Sequence, residues 1–166
     1  MSRGHSGFAI LTAILILVVL SVLAAAIQML AAAQLQASIQ AMLSVRAQSA
    51  AKAGIEWGLY QSLQAGGMWF WDPATGLPNP GPCDTTQRRT LDLVAQTGFS
   101  VTVSCTSYRY NEGQTSSGAV SVVRLYVIDA VACNGTAVCP DNTAAGRTDY
   151  VERRRQAVVT SSLPPS

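Results

Sequence analysis

The sequence predicts an α+β protein in which one long N-terminal α-helix packs on an antiparallel β-sheet. Three observations predict this class: residues 8–45 carry no charged side chain, residues 8–63 contain no proline, and three runs rich in Val, Thr or Tyr follow in the C-terminal half. Strands that follow a helix, instead of alternating with helices, are typical of the α+β class. At 166 residues the chain is long enough for one domain and an anchor.

The first part of the predicted helix is a candidate membrane span. Residues 8–27 read FAILTAILILVVLSVLAAAI, in which only Thr12 and Ser21 are polar. A helix of about 20 residues, rising about 1.5 Å per residue, crosses the roughly 30 Å hydrocarbon core of a bilayer. Arg3 precedes the span, so the positive-inside rule predicts a cytoplasmic N-terminus and a C-terminal part on the other side of the membrane.

Two other interpretations of this segment stay open on hydropathy alone. One is a secretory signal peptide with a small-residue cleavage site at Ala24, Ala25 and Ala26, although the apolar run is longer than signal peptides usually have. The other is an uncleaved anchor, which hydropathy does not distinguish from a processed one. The residues beyond the span are therefore needed to distinguish a signal peptide from a membrane anchor.

Residues 28–63 favour continuation of the helix beyond the membrane. They are mainly Ala, Gln, Leu, Met and Ser, and most of these are good helix formers. The first clear stop signal is Gly66-Gly67, followed by Pro73. We therefore expect one helix over residues 8–65, of which residues 28–65 lie outside the membrane.

The end of this helix is predicted to face the sheet. Ile55, Leu59 and Leu63 recur at four-residue spacing and form an apolar strip. Gly54 and Gly58 lie beside the strip and permit close approach of another backbone.

The C-terminal part, residues 66–166, is predicted to be globular and rich in β-strands. Residues 66–82 have the composition of a loop, with four prolines and four glycines, and we expect its aromatic run Trp69-Phe70-Trp71 to pin the loop onto the domain. Residues 91–94 are too few to assign. The three predicted strands cover residues 99–105, 120–133 and 150–161.

All four cysteines lie in the part that the predicted topology places outside the cytoplasm. Their even number and this location favour disulfides. Three connectivities are possible, and in the one that we favour the second pair closes a tight loop through Asn134-Gly135. The favoured pairs are Cys83 with Cys105 and Cys133 with Cys139. A zinc site is the alternative, but the sequence has no CxxC motif and no histidine besides His5.

The residues that would indicate catalysis or cofactor binding are missing from the sequence pattern. The only histidine, His5, lies before the predicted span, and no glycine-rich phosphate loop follows a predicted strand. The net charge of +2 gives no case for nucleic acid as a partner. In the run Arg153-Arg154-Arg155 the middle side chain points away from its neighbours on a strand, which favours a charged edge strand over a phosphate-binding patch. We expect a non-enzymatic protein without a cofactor or metal.

The N-terminus resembles the prepilins of the type IV pilin class. The residues that carry this resemblance are a short basic leader ending in Gly7, then Phe8, then the uncharged helix. The resemblance implies that a prepilin peptidase cuts after Gly7 and that Phe8 becomes the N-methylated first residue. It also implies a single-pass protein of the bacterial inner membrane that is later drawn into a filament.

One position departs from the pattern of this class. Major pilins have a glutamate at mature position five, where this chain has Thr12. A carboxylate within the membrane is costly unless it is paired, so its replacement removes both that cost and a registering contact between subunits. The resemblance with this departure implies a minor pilin at the filament tip or in the initiation complex.

A narrower resemblance covers three later segments in order. Residues 53–61 (AGIEWGLYQ), 99–105 (FSVTVSC) and 149–159 (DYVERRRQAVV) are similar to minor pilins of the MSHA type. This family implies residues 1–7 as a cleaved leader, and other pilins, the prepilin peptidase, the inner-membrane assembly platform and, before assembly, lipid as partners. A type II secretion pseudopilin, or an uncleaved single-span envelope protein with a periplasmic binding domain, remains an alternative.

Overall fold

A computed structural model of the chain describes residues 6–114, 118, 120–135 and 138–161, with the side chains of residues 6–9 and 32 left aside. The elements are helix α1 (Ser6–Leu63), strand β1 (Gln87–Leu93), the short helix α2 (Val94–Thr97), and strands β2 (Phe99–Gln114), β3 (Val120–Cys133) and β4 (Glu152–Ser161). The predicted α+β class is confirmed. The chain divides into two compact units, Met1–Ala41 and Met42–Ser166, and the whole sheet lies in the second.

Helix α1 begins and ends two residues before the predicted bounds. It ends at Leu63, and Gly66 shortly beyond adopts a left-handed conformation, with φ of 89°. The chain then folds back on the last turn, where the Trp69 amide donates to the Gln61 carbonyl (3.0 Å) and the Met68 amide donates to the Gln61 side-chain oxygen (2.9 Å). The first of these bonds satisfies a carbonyl that the helix end leaves open.

The four strands form one antiparallel sheet in the order β1-β2-β3-β4. In the central pair Val101 lies opposite Ala132 and Val103 lies opposite Ala130. Residues that lie opposite each other share a face of the sheet, so these four point toward helix α1 and their neighbours point to the outer face. Strands β1 and β4 are the two edges.

The strand predictions are partly wrong at their bounds. Strand β3 has the predicted bounds, whereas β2 continues to Gln114 and β4 begins at Glu152 instead of residue 150. Strand β1 was missed, because Gln87 and the two arginines after it have little strand propensity. Its backbone pairs with β2 from Gln87 opposite Cys105 to Leu93 opposite Phe99, so a tertiary contact overrides local preference here.

The face of α1 that packs on the sheet consists of small residues. Its buried positions recur every three or four residues and are Ala47, Ala50, Ala51, Gly54, Gly58 and Ser62. The predicted apolar strip lies beside this face: Ile55 and Leu59 are half-buried, and Leu63 is exposed. Aliphatic side chains flank the contact, whereas small side chains at its centre allow helix and sheet to approach closely.

Candidate assembly surfaces

The N-terminal part of α1 is apolar on every side. Seven consecutive residues, Ile14 to Leu20, are all aliphatic and each is 50–66% exposed. Seven residues complete almost two turns, so no side of the helix is polar there. A helix that is apolar all round is stable when buried in lipid or among other apolar elements. Among the described residues, this helix is long and apolar enough to cross a membrane.

The predicted processing point lies at the start of this helix. Gly7 and Phe8 have helical backbone, and Arg3 with the rest of residues 1–5 lies outside the described residues. Cleavage after Gly7 and methylation of Phe8 therefore stay predictions. Thr12 lies on the exposed surface of the same helix, among aliphatic residues.

Gly54 and Gly58 face the chain's own sheet. A methyl group built at Gly54 would lie 2.6 Å from Val101 Cγ1, and one at Gly58 would lie 2.5 Å from Ile128 Cγ2. Both distances are well inside ordinary carbon–carbon contact. The two glycines thus hold the second half of α1 against β2 and β3.

The loop after α1 is pinned to the domain by two tryptophans, as its composition predicted. Trp69 and Trp71 are buried, and the Trp69 ring packs edge-to-face against Trp57 of α1 with ring centroids 5.1 Å apart. The disulfide Cys83–Cys105 ties the end of the loop to β2. The sheet-facing end of α1 is therefore covered by the loop.

A buried arginine connects this loop to the sheet. The Arg124 side chain on β3 is 1% exposed, forms an ion pair with Asp84, donates to Ser107 Oγ (2.8 Å) and lies over the Trp71 ring at 4.8 Å from its centroid. Asp84 also accepts from the Gly81 amide at 2.6 Å. A charge in this position is held by its partners and not by water.

The pKa values in this cluster follow from burial and from the arginine. Partial burial alone would raise the pKa of the Asp84 carboxyl, but hydrogen bonds from Arg124, Gly81 and Ser107 hold it below its ordinary value. Burial raises the pKa of the neighbouring Tyr126 to about 12. Sequence reasoning missed this cluster, although a lone arginine in the apolar run 120–128 is the signal that could have indicated it.

The second disulfide, Cys133–Cys139, closes a loop on the outer face of the sheet. The Cys139 amide donates to Thr102 Oγ1 at 2.8 Å, which holds the loop down on β2. Asn134 then bonds the returning chain, through its side-chain amide to the Asp149 carbonyl (2.7 Å) and through its oxygen to the Val151 amide (2.8 Å). Both disulfides have the pairing favoured from the sequence, so no cysteine is left for zinc.

The three consecutive arginines of β4 lie on both faces of the sheet and do not form one patch. The alternation of side chains along a strand predicted this. Arg153 donates to Ser44 Oγ of α1 at 2.9 Å, whereas Arg154 forms an ion pair with Asp129 on the opposite face. Arg155 is exposed. Strand β4 is thus an edge strand bearing charge, which discourages pairing with another sheet.

Within the described ranges, no group of three or more His, Cys, Asp or Glu side chains is arranged to hold a metal ion. Comparisons with protein-family models, with curated proteins and with solved structures gave no match.

Proposed function

We propose that this chain is a minor pilin, a non-enzymatic structural subunit of a type IV pilus of the MSHA type, which acts at the filament tip or in its initiation complex. In this proposal the subunit waits in the inner membrane with its N-terminus inside and its sheet outside. A prepilin peptidase removes residues 1–7, Phe8 is methylated, and the assembly platform transfers the subunit into a filament together with other pilins.

The observation that carries the proposal is the contrast between the two parts of α1. From residue 10 to residue 41 its large aliphatic side chains are exposed on all sides, whereas from Ala47 onward one face is buried on the sheet. Exposed aliphatic residues such as Met29, Leu30, Leu35 and Ile39 lie beyond the predicted span, with no charge among them. A bilayer core does not cover all of these residues, so packing against similar helices is the arrangement that removes the rest from water.

Two further features support a location outside the cytoplasm. Disulfides persist in oxidising compartments, and both of them stabilise the unit that contains the sheet. The leader sequence agrees, since Arg3 precedes the apolar helix and favours retention of the N-terminus in the cytoplasm.

Thr12 favours a minor subunit over a repeating one. A subunit that lacks a carboxylate at this position cannot pair it with the terminal amine of a neighbour. Such a subunit suits a place at the end of a filament, where no subunit lies ahead of it.

The N-terminus of the protein isolated from its own host tests the proposal. We expect a methylated Phe8 by mass spectrometry, and co-purification with other pilins from membranes after mild crosslinking. An unprocessed N-terminus at Met1 would indicate an uncleaved anchor, and a start near Ile27 would indicate a secreted protein; either result contradicts the proposal. Processing at Phe8 with secretion-system subunits as the crosslinked partners would favour the pseudopilin. As a control, Gly7→Leu should block processing while leaving the sheet unit folded.

A further inference from the structure

The outer face of the sheet carries a cleft of about 260 Å³. Its lining includes side chains from all four strands, and Cys139 and Pro140 form one end. The polar and loop residues of the lining are Arg88, Ser104, Asp129, Pro140, Glu152 and Arg154. We call this site the outer cleft. It lies on the opposite side of the sheet from α1, so the helix contacts do not occupy it.

The outer cleft is built on rigid parts of the fold. Arg88, Ser104 and Asp129 lie side by side across β1, β2 and β3 in one row of the sheet. Pro140 follows Cys139, which is fixed by its disulfide and by its bond to Thr102. A site on paired strands with a covalently closed end wall keeps its shape without a ligand.

The charges in the outer cleft are only partly paired. Asp129 is neutralised by Arg154, whose Nε donates to both carboxylate oxygens at 2.9 and 2.7 Å. In the described part of the chain Arg88 forms no ion pair or side-chain hydrogen bond, and the Ser104 hydroxyl has no partner either. Glu152 accepts from the Tyr150 hydroxyl at 2.6 Å and lies near Arg154, which is paired with Asp129; among the described residues Glu152 forms no ion pair of its own.

These groups define the chemistry of a ligand. An unpaired guanidinium binds a carboxylate through two parallel hydrogen bonds. The Ser104 hydroxyl and the Glu152 carboxylate offer a donor and acceptors to hydroxyl groups. A multiply charged inorganic anion fits poorly, since two carboxylates line the site, and a purely apolar ligand would leave the polar lining without partners.

We infer that the outer cleft binds one acidic sugar residue, whose carboxylate is held by Arg88 and whose ring hydroxyls contact Ser104 and Glu152. The volume supports one ring, because drug-sized ligands occupy clefts of about 300–1,000 Å³. Arg88 and Glu152 lie diagonally across the sheet, since the β4 residue in the row of Arg88 is Gln156 and Glu152 is four residues further along. Three strand spacings and four residues along a strand separate their backbones by roughly 20 Å. The long side chains of Arg88 and Glu152 reach toward each other across this gap and can contact one ring from opposite sides. The inference does not depend on the proposed function, since every residue in it belongs to the sheet unit.

Titration of the full-length protein in detergent micelles with D-galacturonate tests the inference, by calorimetry or by ligand-observed NMR. We expect saturable binding in the millimolar range, which is weak because one small ligand makes few contacts. D-Galactose, which lacks the carboxylate, should bind at least tenfold more weakly. Inorganic phosphate should not compete with galacturonate at equal concentration.

The matched variants are Arg88→Gln and Arg89→Gln. The two arginines are neighbours on β1 and both are exposed, but their side chains lie on opposite faces of the sheet. We expect Arg88→Gln to weaken galacturonate binding at least tenfold and Arg89→Gln to leave it within twofold, with both variants unfolding at the temperature of the unaltered protein. The inference is overturned by no saturable binding, by equal binding of galactose, or by equal losses in the two variants. Failure here would leave the N-terminal processing result unaffected.

Discussion

Replacement of Asp84 by Asn should destabilise the sheet unit through the arginine that it leaves behind. The change keeps the shape of the side chain and removes its charge. Arg124 would then lie 1% exposed without a counter-charge, while Ser107 and the Trp71 ring remain beside it. Breaking a buried ion pair costs about 3–5 kcal/mol. Because the Asp84 side chain is 32% exposed and water screens it, we expect the lower figure of about 2–3 kcal/mol.

Urea unfolding of the disulfide-intact, full-length protein in micelles measures this loss. All three tryptophans lie in or near the affected region, at positions 57, 69 and 71, so their fluorescence reports the sheet unit and not the membrane helix. For a unit of this size, 2–3 kcal/mol corresponds to a fall in melting temperature of roughly 10 °C.

The matched control is Asp149→Asn, which breaks the ion pair with Arg147. The Asp149 side chain is 59% exposed and the Arg147 side chain 53%, and Asp149 Oδ2 lies 2.5 Å from Arg147 Nη2. An exposed pair contributes little to stability, because water screens the attraction between its charges. If Asp84→Asn lowers the free energy of unfolding by no more than this control does, the buried Arg124 does not depend on Asp84 and the prediction is refuted.

The pH dependence provides a second check on the same pair. The folded-state pKa of Asp84 is lowered, so its contribution to the free energy of unfolding is present above the unfolded pKa of about 3.9 and is lost as the pH falls through the folded pKa. The stability difference between the protein and Asp84→Asn should therefore be constant near pH 7 and shrink in acid. A difference that persists unchanged at pH 2 would contradict this account.

Three other predictions concern the same unit. Gly58→Ala should lower the free energy of unfolding by about 1–2 kcal/mol, because overpacking against the sheet outweighs the gain of about 1 kcal/mol in helix propensity. The control is Gly146→Ala, where an added methyl meets nothing within 4 Å. This variant should leave the urea midpoint unchanged. The pKa of Tyr126 is about 12 in the folded protein, whereas an unfolded tyrosine ionises near pH 10. The free energy of unfolding should therefore fall as the pH rises from about 10 to about 12. This fall should be smaller in Tyr126→Phe. Joint replacement of Cys83 and Cys105 by Ser should cost about 3 kcal/mol, because a closed loop of 22 residues is opened in the unfolded chain; an unchanged urea midpoint would contradict that estimate.

Local patterns were sufficient to predict the long helix and the central strands. Helix α1 is continuous in composition and has no proline before residue 73, and β3 is an apolar run bounded by glycine-containing turns. Strand β1 could not be predicted in this way, because its residues 87–90 are polar and the strand exists through its backbone pairing with β2. Edge strands of this kind are specified by a partner and not by their own sequence.

The candidate assembly surfaces were predictable to a similar extent. Exposure of the N-terminal helix follows from its uniform apolarity, and the glycines at positions 54 and 58 indicated a close approach. The outer cleft was not predictable, because its lining comes from strands separated along the chain by as much as 66 residues, between Arg88 and Arg154. No periodicity within a segment indicates which side chains four strands will bring together.

The placement of the two disulfides has a mechanical consequence. Cys83–Cys105 lies on the helix-facing side of the sheet and joins the loop after α1 to β2. Cys133–Cys139 lies on the outer side and joins the end of β3 to the segment that follows it. If tension is applied between the N-terminal helix and the C-terminus, the chain between bridged cysteines cannot lengthen. At about 3.4 Å per extended residue, the separations of 22 and 6 residues withhold roughly 75 Å and 20 Å of slack. A chain pulled in this way forms a shorter tether than its number of residues implies, and residues 83–105, which include β1, stay closed as a loop after the strands have separated.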